Sequence, residues 1–236
     1  MKTLLVGFGD SWTFGSELDR PAEQNWVTQL AGMLDADCIN MGTPASSIGH
    51  LGVQLFDFVK QHPDFENYKI IFAVGLSGLT RYLSYSNAKQ QFINITPEAV
   101  YCTSDIHPSG RPPEHLPFMN DLARQVYTQV ESNTYNNFLA CQQIFQFQQF
   151  CNYNEIDCIF FSYFDQVDIT NYRHMLISST IYPVTITQAL TGQEYELPAI
   201  RDNKYFEGKL FHPNILGHTR IAELLRDFYD KEYPRD

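Results

Sequence analysis

Runs of apolar residues divide this chain into alternating strands and helices. The first run, Thr3-Leu4-Leu5-Val6-Gly7, stops at Phe8-Gly9-Asp10-Ser11, and the clearest one spans Tyr68 to Val74. Continuous apolar runs of this length predict parallel strands buried on both faces. Ala36 to Met41 reads as a short second strand and Ile156 to Phe164 as a fourth. Between them the spacing changes to a helical one. Arg20-Pro21-Ala22-Glu23 opens a helix with proline and an acidic residue in its first turn, and Trp26, Leu30, Met33 and Leu34 continue it. Leu51, Leu55, Phe58 and Val59 mark the next helix, Asn136 to Asn152 a third, and Ile221 to Phe228 the last.

Strand, helix, strand, helix, strand predicts a doubly wound α/β sheet, a flavodoxin-like three-layer α/β/α fold with a parallel central sheet. In such a sheet the ligand crevice lies beyond the C-terminal ends of the strands. Three loops meet there: the serine block, Gly42-Thr43-Pro44-Ala45-Ser46-Ser47, and Gly75-Leu76-Ser77-Gly78-Leu79-Thr80-Arg81. The pattern breaks from Tyr82 to about Asn133, where prolines and small polar residues interrupt any period. We read residues 1–236 as one domain carrying an insertion, or lid, at about 82–133. Val167 to Pro198 leaves short strands and loop-packing segments both open, with a helix beginning near Thr187.

Composition narrows the classes of function. With 44% hydrophobic residues, 18 Phe and only 18% charged residues, the chain has ample material for a core, and disorder over most of it is excluded. Lys plus Arg number 16 against 27 Asp plus Glu, a net charge of −11, and no basic cluster interrupts it. Such a field repels phosphate backbones, so no nucleic-acid partner is expected. The five cysteines form no Cys-x-x-Cys pair, and Cys141 and Cys151 lie ten residues apart on one expected helix, too far for a disulfide. Met1-Lys2 runs directly into the first strand, and no apolar run nears the ~20 residues of a membrane span. A soluble, cytoplasmic protein without a cleaved signal is the expectation.

Gly9-Asp10-Ser11 at a strand end places a serine where a ligand can reach it, although all three residues also favour ordinary turns. Near the other end, Phe211-His212-Pro213-Asn214-Ile215-Leu216-Gly217-His218 leads into the last helix. Taken together, an N-terminal Gly-Asp-Ser and a C-terminal His-Pro-Asn-x-x-Gly-His resemble the SGNH (GDSL-type) hydrolase family. The resemblance implies a serine esterase with Ser11 as nucleophile and His212 as general base, without a cofactor or metal. It also implies an oxyanion hole made by the Ser11 N–H, an N–H of the second block and a side chain of the third. Ala45 stands at the family's usual glycine, with Gly42 as a fallback donor, and Ser77 stands where the family has asparagine. Any non-proline residue offers an N–H, so Ala45 matters only if the backbone there needs a positive φ. The family's acid, three residues before the histidine, is Lys209 here; Glu207 is the nearest substitute, Asp202 a more distant one, and a main-chain carbonyl would also serve.

Asp10, Trp12 and Arg81 are candidate substrate-binding residues, with an ion pair the alternative for Arg81. Pro213 is expected in the first turn of the last helix, where it would fix the direction of His212, and His218 on that helix's surface. His107, His115 and His174 lack the spacing of paired metal ligands, and no phosphate loop is present. Within the family, Trp12 and the Ser/Thr-containing third block look most like divergent members from bacteriophages and some bacteria. That likeness implies small acyl groups on a carbohydrate and, for a phage-encoded member, association with a virion. Tyr82, Tyr85, Phe92, Tyr101 and Phe118 could stack sugar rings or pack the insertion onto the body. A catalytically weak binding module and a lipase or thioesterase for longer chains are the competing classes.

Overall fold

A computed structural model describes residues 2–79, 81–86, 91–95, 133–193, 203–207 and 212–234. Its centre is a parallel four-stranded sheet of β1 (Thr3–Phe8), β2 (Asp37–Asn40), β3 (Lys69–Leu76) and β6 (Asp157–Ser162), in the order β2-β1-β3-β6. The register pairs Phe8 with Val74 and Leu76 with Ser162, so the strands end close together on one edge. Beyond β6, Ile181 makes a single parallel bridge to Phe160, and the Tyr182 N–H donates to the Phe160 carbonyl at 2.7 Å. That contact is all that the ambiguous stretch after Val167 adds to this sheet among the described residues; a short helix, α6 (Ile186–Thr191), follows it.

Strand pleating sends alternate side chains to opposite faces, and each face has its own core. Leu4, Val6, Phe8, Phe72, Val74 and Phe160 pack against α4 (His50–Gln61) and α5 (Asn133–Tyr153). Leu5, Ile71, Ala73, Ile159 and Phe161 pack against α3 (Trp26–Leu34), α6 and α7 (Ile215–Glu232). The result is the three-layer α/β/α arrangement expected from the sequence.

Several local expectations change. The first helix is two: α2 (Pro21–Gln24) stops at Asn25, whose extended backbone (φ −68°, ψ 160°) breaks the helix. The Asn25 side chain then caps α3 by accepting from the Thr28 N–H at 2.9 Å. Part of the supposedly irregular insertion is regular: β4 (Tyr82–Ser86) and β5 (Gln91–Ile95) form an antiparallel hairpin. Residues 96–132 of that insertion, with Tyr101, His107, His115 and Phe118, lie outside the described residues. Cys141 and Cys151 are indeed on one helix, and both thiols are free. Burial, helped by Asp168, pushes the Cys141 thiol up to about 11, so it stays protonated.

Candidate active site

Ser11 begins α1 (Ser11–Phe14), a single turn that leaves the end of β1. Glycines make room for it. A Cβ on Gly9, whose φ is +147°, would collide with the Thr13 hydroxyl; one on Gly42 would lie 2.5 Å from the Phe14 nitrogen. A grip on Gly9 holds the turn in place. The amide of the buried Gln54, from α4, accepts from the Gly9 N–H at 3.0 Å and donates to its carbonyl at 2.7 Å. The Thr43 N–H and the Ser46 hydroxyl donate to the same carbonyl, each at 3.0 Å.

A second anchor runs through the core. Trp26 Nε1–H donates to the Tyr163 hydroxyl at 3.2 Å, Tyr163 to the Thr13 hydroxyl at 2.6 Å, and Thr13 to the Phe8 carbonyl at 3.2 Å. The direction follows from the ends of the chain, since the indole can only donate and the carbonyl only accept. Burial, with the Asp10 carboxylate nearby, holds the Tyr163 phenol well above its ordinary range, so the proton it donates stays in place.

Asp10 is fully buried beneath the serine. One carboxylate oxygen accepts the Trp12 N–H at 3.0 Å, which caps α1, and the other pairs with Arg81 Nη1 at 2.8 Å. Arg81 also reaches the Ser46 carbonyl at 3.4 Å. The ion pair left open for Arg81 by the sequence is thus present. Trp12, 2% exposed, packs against Tyr163, Phe164 and Phe206. Asp10 and Trp12 therefore sit in the support of the serine, with no surface turned to solvent.

The loops expected to supply oxyanion donors do converge beyond the strand ends. Ala45 holds a left-handed backbone, φ +60°. That is the conformation in which a glycine would be unstrained, and an alanine there costs about 1 kcal/mol. The N–H groups of Ser11 and Ala45 make no hydrogen bond among the described residues. The Ser77 hydroxyl, at the end of β3, is buried and likewise has no partner. Gly42 differs, because its N–H is already given to the Asn40 side chain at 2.9 Å.

His212 lies in β8 (His212–Pro213), which pairs with β7 (Phe206–Glu207) as a two-residue antiparallel hairpin and lies against α1. Pro213 belongs to this strand, not to the helix that follows. Asn214 caps α7 instead, accepting from the Gly217 N–H at 2.9 Å. Glu207 stands opposite His212 in the register, though its side chain, like Asp202 and Lys209, lies outside the described residues. The carboxylate found on His212 is that of Glu17, with Nδ1 and Oε2 2.9 Å apart. Nothing in the sequence marked Glu17, which is 195 residues away along the chain.

His218 is the other departure. The expected surface residue is fully buried on the inward stripe of α7 with Ile221, Ala222 and Leu225. Its Nδ1 accepts the Trp26 N–H at 3.1 Å. Burial first, and the neighbouring His212 second, push its pKa down to about 3, so the ring is neutral and carries its proton on Nε2. Among the described residues no cluster of three or more His, Cys, Asp or Glu could hold a metal ion, and no helix is long and apolar enough to cross a membrane.

No protein-family model matches this chain, and no curated protein does. Solved structures do. A lipolytic protein of the G-D-S-L family from Desulfitobacterium hafniense DCB-2 aligns with TM-score 0.51 at 12% identity, over 95% of this chain and 98% of that one. An acetyl xylan esterase from the rumen bacterium Butyrivibrio proteoclasticus aligns with TM-score 0.51 at 13% identity, over 97% of this chain and 63% of that one. A carbohydrate esterase whose active site displays divergent catalytic and non-catalytic binding functions gives 0.51 at 12%, over 98% and 65%. The chain thus spans somewhat less than two thirds of the length of both carbohydrate esterases. These likenesses establish an SGNH/GDSL-type fold in a divergent form.

Proposed function

We propose that this protein is a serine ester hydrolase that removes short acyl groups, acetyl above all, from a carbohydrate through an acyl-serine intermediate. The observation that carries the reading is the set of unspent donors around Ser11: its own N–H, the Ala45 N–H and the buried Ser77 hydroxyl. Buried or sterically costly polar groups left without partners fit a site that receives them from a reacting molecule, and donors fixed in advance are what a developing oxyanion needs. Ser11 supplies the nucleophile and His212 the base. The small-acyl and carbohydrate parts rest on the resemblance and on the two carbohydrate esterases of like fold; the insertion at about 82–133 would act as a lid that shapes the substrate.

A binding module that has lost useful turnover is the second reading, favoured by Ser77. A hydroxyl reaches less far than an amide, and loss of one oxyanion donor costs about 3–4 kcal/mol in the barrier. Hydrolysis of p-nitrophenyl acetate and octanoate by the wild type, Ser11→Ala and His212→Ala, each checked for folding by circular dichroism, separates the readings. We expect acetate turnover, preferred over octanoate, that disappears in both folded variants. A wild type as inert as the variants favours the binding module, and turnover that survives both substitutions removes Ser11 and His212 from the chemistry.

A further inference from the structure

We propose that Glu17 is the residue that positions His212, so that the nucleophile and the acid of this site come from one segment of seven residues; the role rests on the hydrolase reading above. A carboxylate can only accept, so the 2.9 Å contact fixes the Nδ1–H on His212. Nε2 is then left with the lone pair that a general base needs. The side chains of His212 and Glu17 are 10% and 27% exposed, so the pair is only partly shielded from solvent.

The backbone is shaped to deliver this carboxylate. Gly15 ends α1 in the left-handed region at φ +88°, and the N–H groups of Gly15 and Ser16 both donate to the Ser11 carbonyl, at 3.0 and 2.9 Å. Glu17 then takes φ +69° itself. A non-glycine residue there carries strain of about 1 kcal/mol and persists only where its surroundings enforce it. The chain reverses directly after the serine turn and returns Glu17 to the face of α1 that meets β8. Among the described residues, Asp10 is held by Arg81 and His218 is neutral, while Arg220 and Arg226 on α7 pair with Glu223 and Asp230 of the same helix; Glu207 stands opposite His212 in the register.

In acylation, Ser11 Oγ bonds to the acyl carbon while its proton passes to His212 Nε2. The imidazolium keeps its Nδ1–H on Glu17, whose charge offsets it, and Nε2 returns the proton to the departing alcohol oxygen. Water then gives a proton to Nε2 as its oxygen bonds to the acyl carbon; the bond to Oγ breaks and Oγ recovers the proton. Glu17 remains a carboxylate throughout.

The test compares the wild type with Glu17→Gln, Glu17→Asp, Glu17→Ala and Glu207→Gln on p-nitrophenyl acetate from pH 5 to 9, together with the ¹⁵N spectrum of His212. For Glu17→Gln, kcat should fall about 10²- to 10⁴-fold with KM within about threefold, as expected where the base loses its orienting carboxylate. Its acid limb in kcat/KM should move to lower pH, because the imidazolium loses a neighbouring negative charge. Glu17→Asp should regain part of the rate, and a loss of kcat in Glu207→Gln larger than that in Glu17→Gln would overturn the assignment to Glu17. His212 should carry its proton on Nδ1 in the wild type and on Nε2 in Glu17→Ala. An active wild type whose Glu17→Ala variant keeps both rate and tautomer overturns the role of Glu17 alone. A wild type that is inert yet holds the Nδ1–H form overturns the hydrolase reading and the role with it.

Discussion

The serine and the histidine of this site are held by opposite means. Ser11 stands on a turn locked into the core, with Gly9 gripped by Gln54, Thr43 and Ser46 and Thr13 tied through Tyr163 to Trp26. His212 lies on a two-residue strand pair, and its ring meets the carboxylate of Glu17, which we propose orients it. The proposed nucleophile is thus fixed by packing, where errors cost stability. The proposed base is fixed by a hydrogen bond, where errors would cost rate.

Substitutions should separate these two kinds of anchoring. The largest effect on stability is expected at Gly75→Ala. Its new Cβ would land on the fully buried Tyr163 hydroxyl and ring, in the middle of the network beneath Ser11. Overpacking there should cost about 3 kcal/mol, read as a lowered midpoint in urea. Second is an acid sensitivity on the histidine side. His218 has a folded pKa of about 3 against an ordinary 6.5, so the unfolded chain binds the extra proton across that window. Stability contributed by the neutral ring is present above pH 6.5 and is lost as the pH falls, about 2 kcal/mol of it between pH 7 and 5. His218→Asn, whose amide oxygen can still accept the Trp26 N–H, should remove that share of the pH dependence in denaturation curves at the two pH values. Smallest is Glu17→Gln, expected to change stability by less than about 1 kcal/mol because the pair is partly exposed to solvent. A loss of several kcal/mol there would mean that the histidine, too, is held by folding energy.

The same contrast runs through what the sequence made legible. Strands β1, β3 and β6 and the helices around them followed from apolar runs and helical spacing, because those patterns are the direct imprint of burial on two faces. Ser11 and His212 could be singled out as the proposed nucleophile and base because each sits in a local motif. His218 was misjudged although its signal was present: it falls on the same stripe as Ile221 and Leu225, and a polar residue type concealed a buried position. The break at Asn25 was also readable in principle, since asparagine is a good cap in front of Trp26. Glu17 was not readable. Its role depends on a left-handed backbone and on a contact across nearly the whole chain, and neither leaves a periodic trace. Ala45 hid its conformation for the opposite reason, since alanine ordinarily argues against a positive φ.

The link between residues 17 and 212 also bears on how such proteins can vary. Once a carboxylate arrives from the serine's own segment, the approach to the histidine no longer has to carry one. A basic residue such as Lys209 then becomes admissible where a pattern written for this architecture would demand an acid. A signature that requires the acid three residues before the histidine would pass over a chain built in this way.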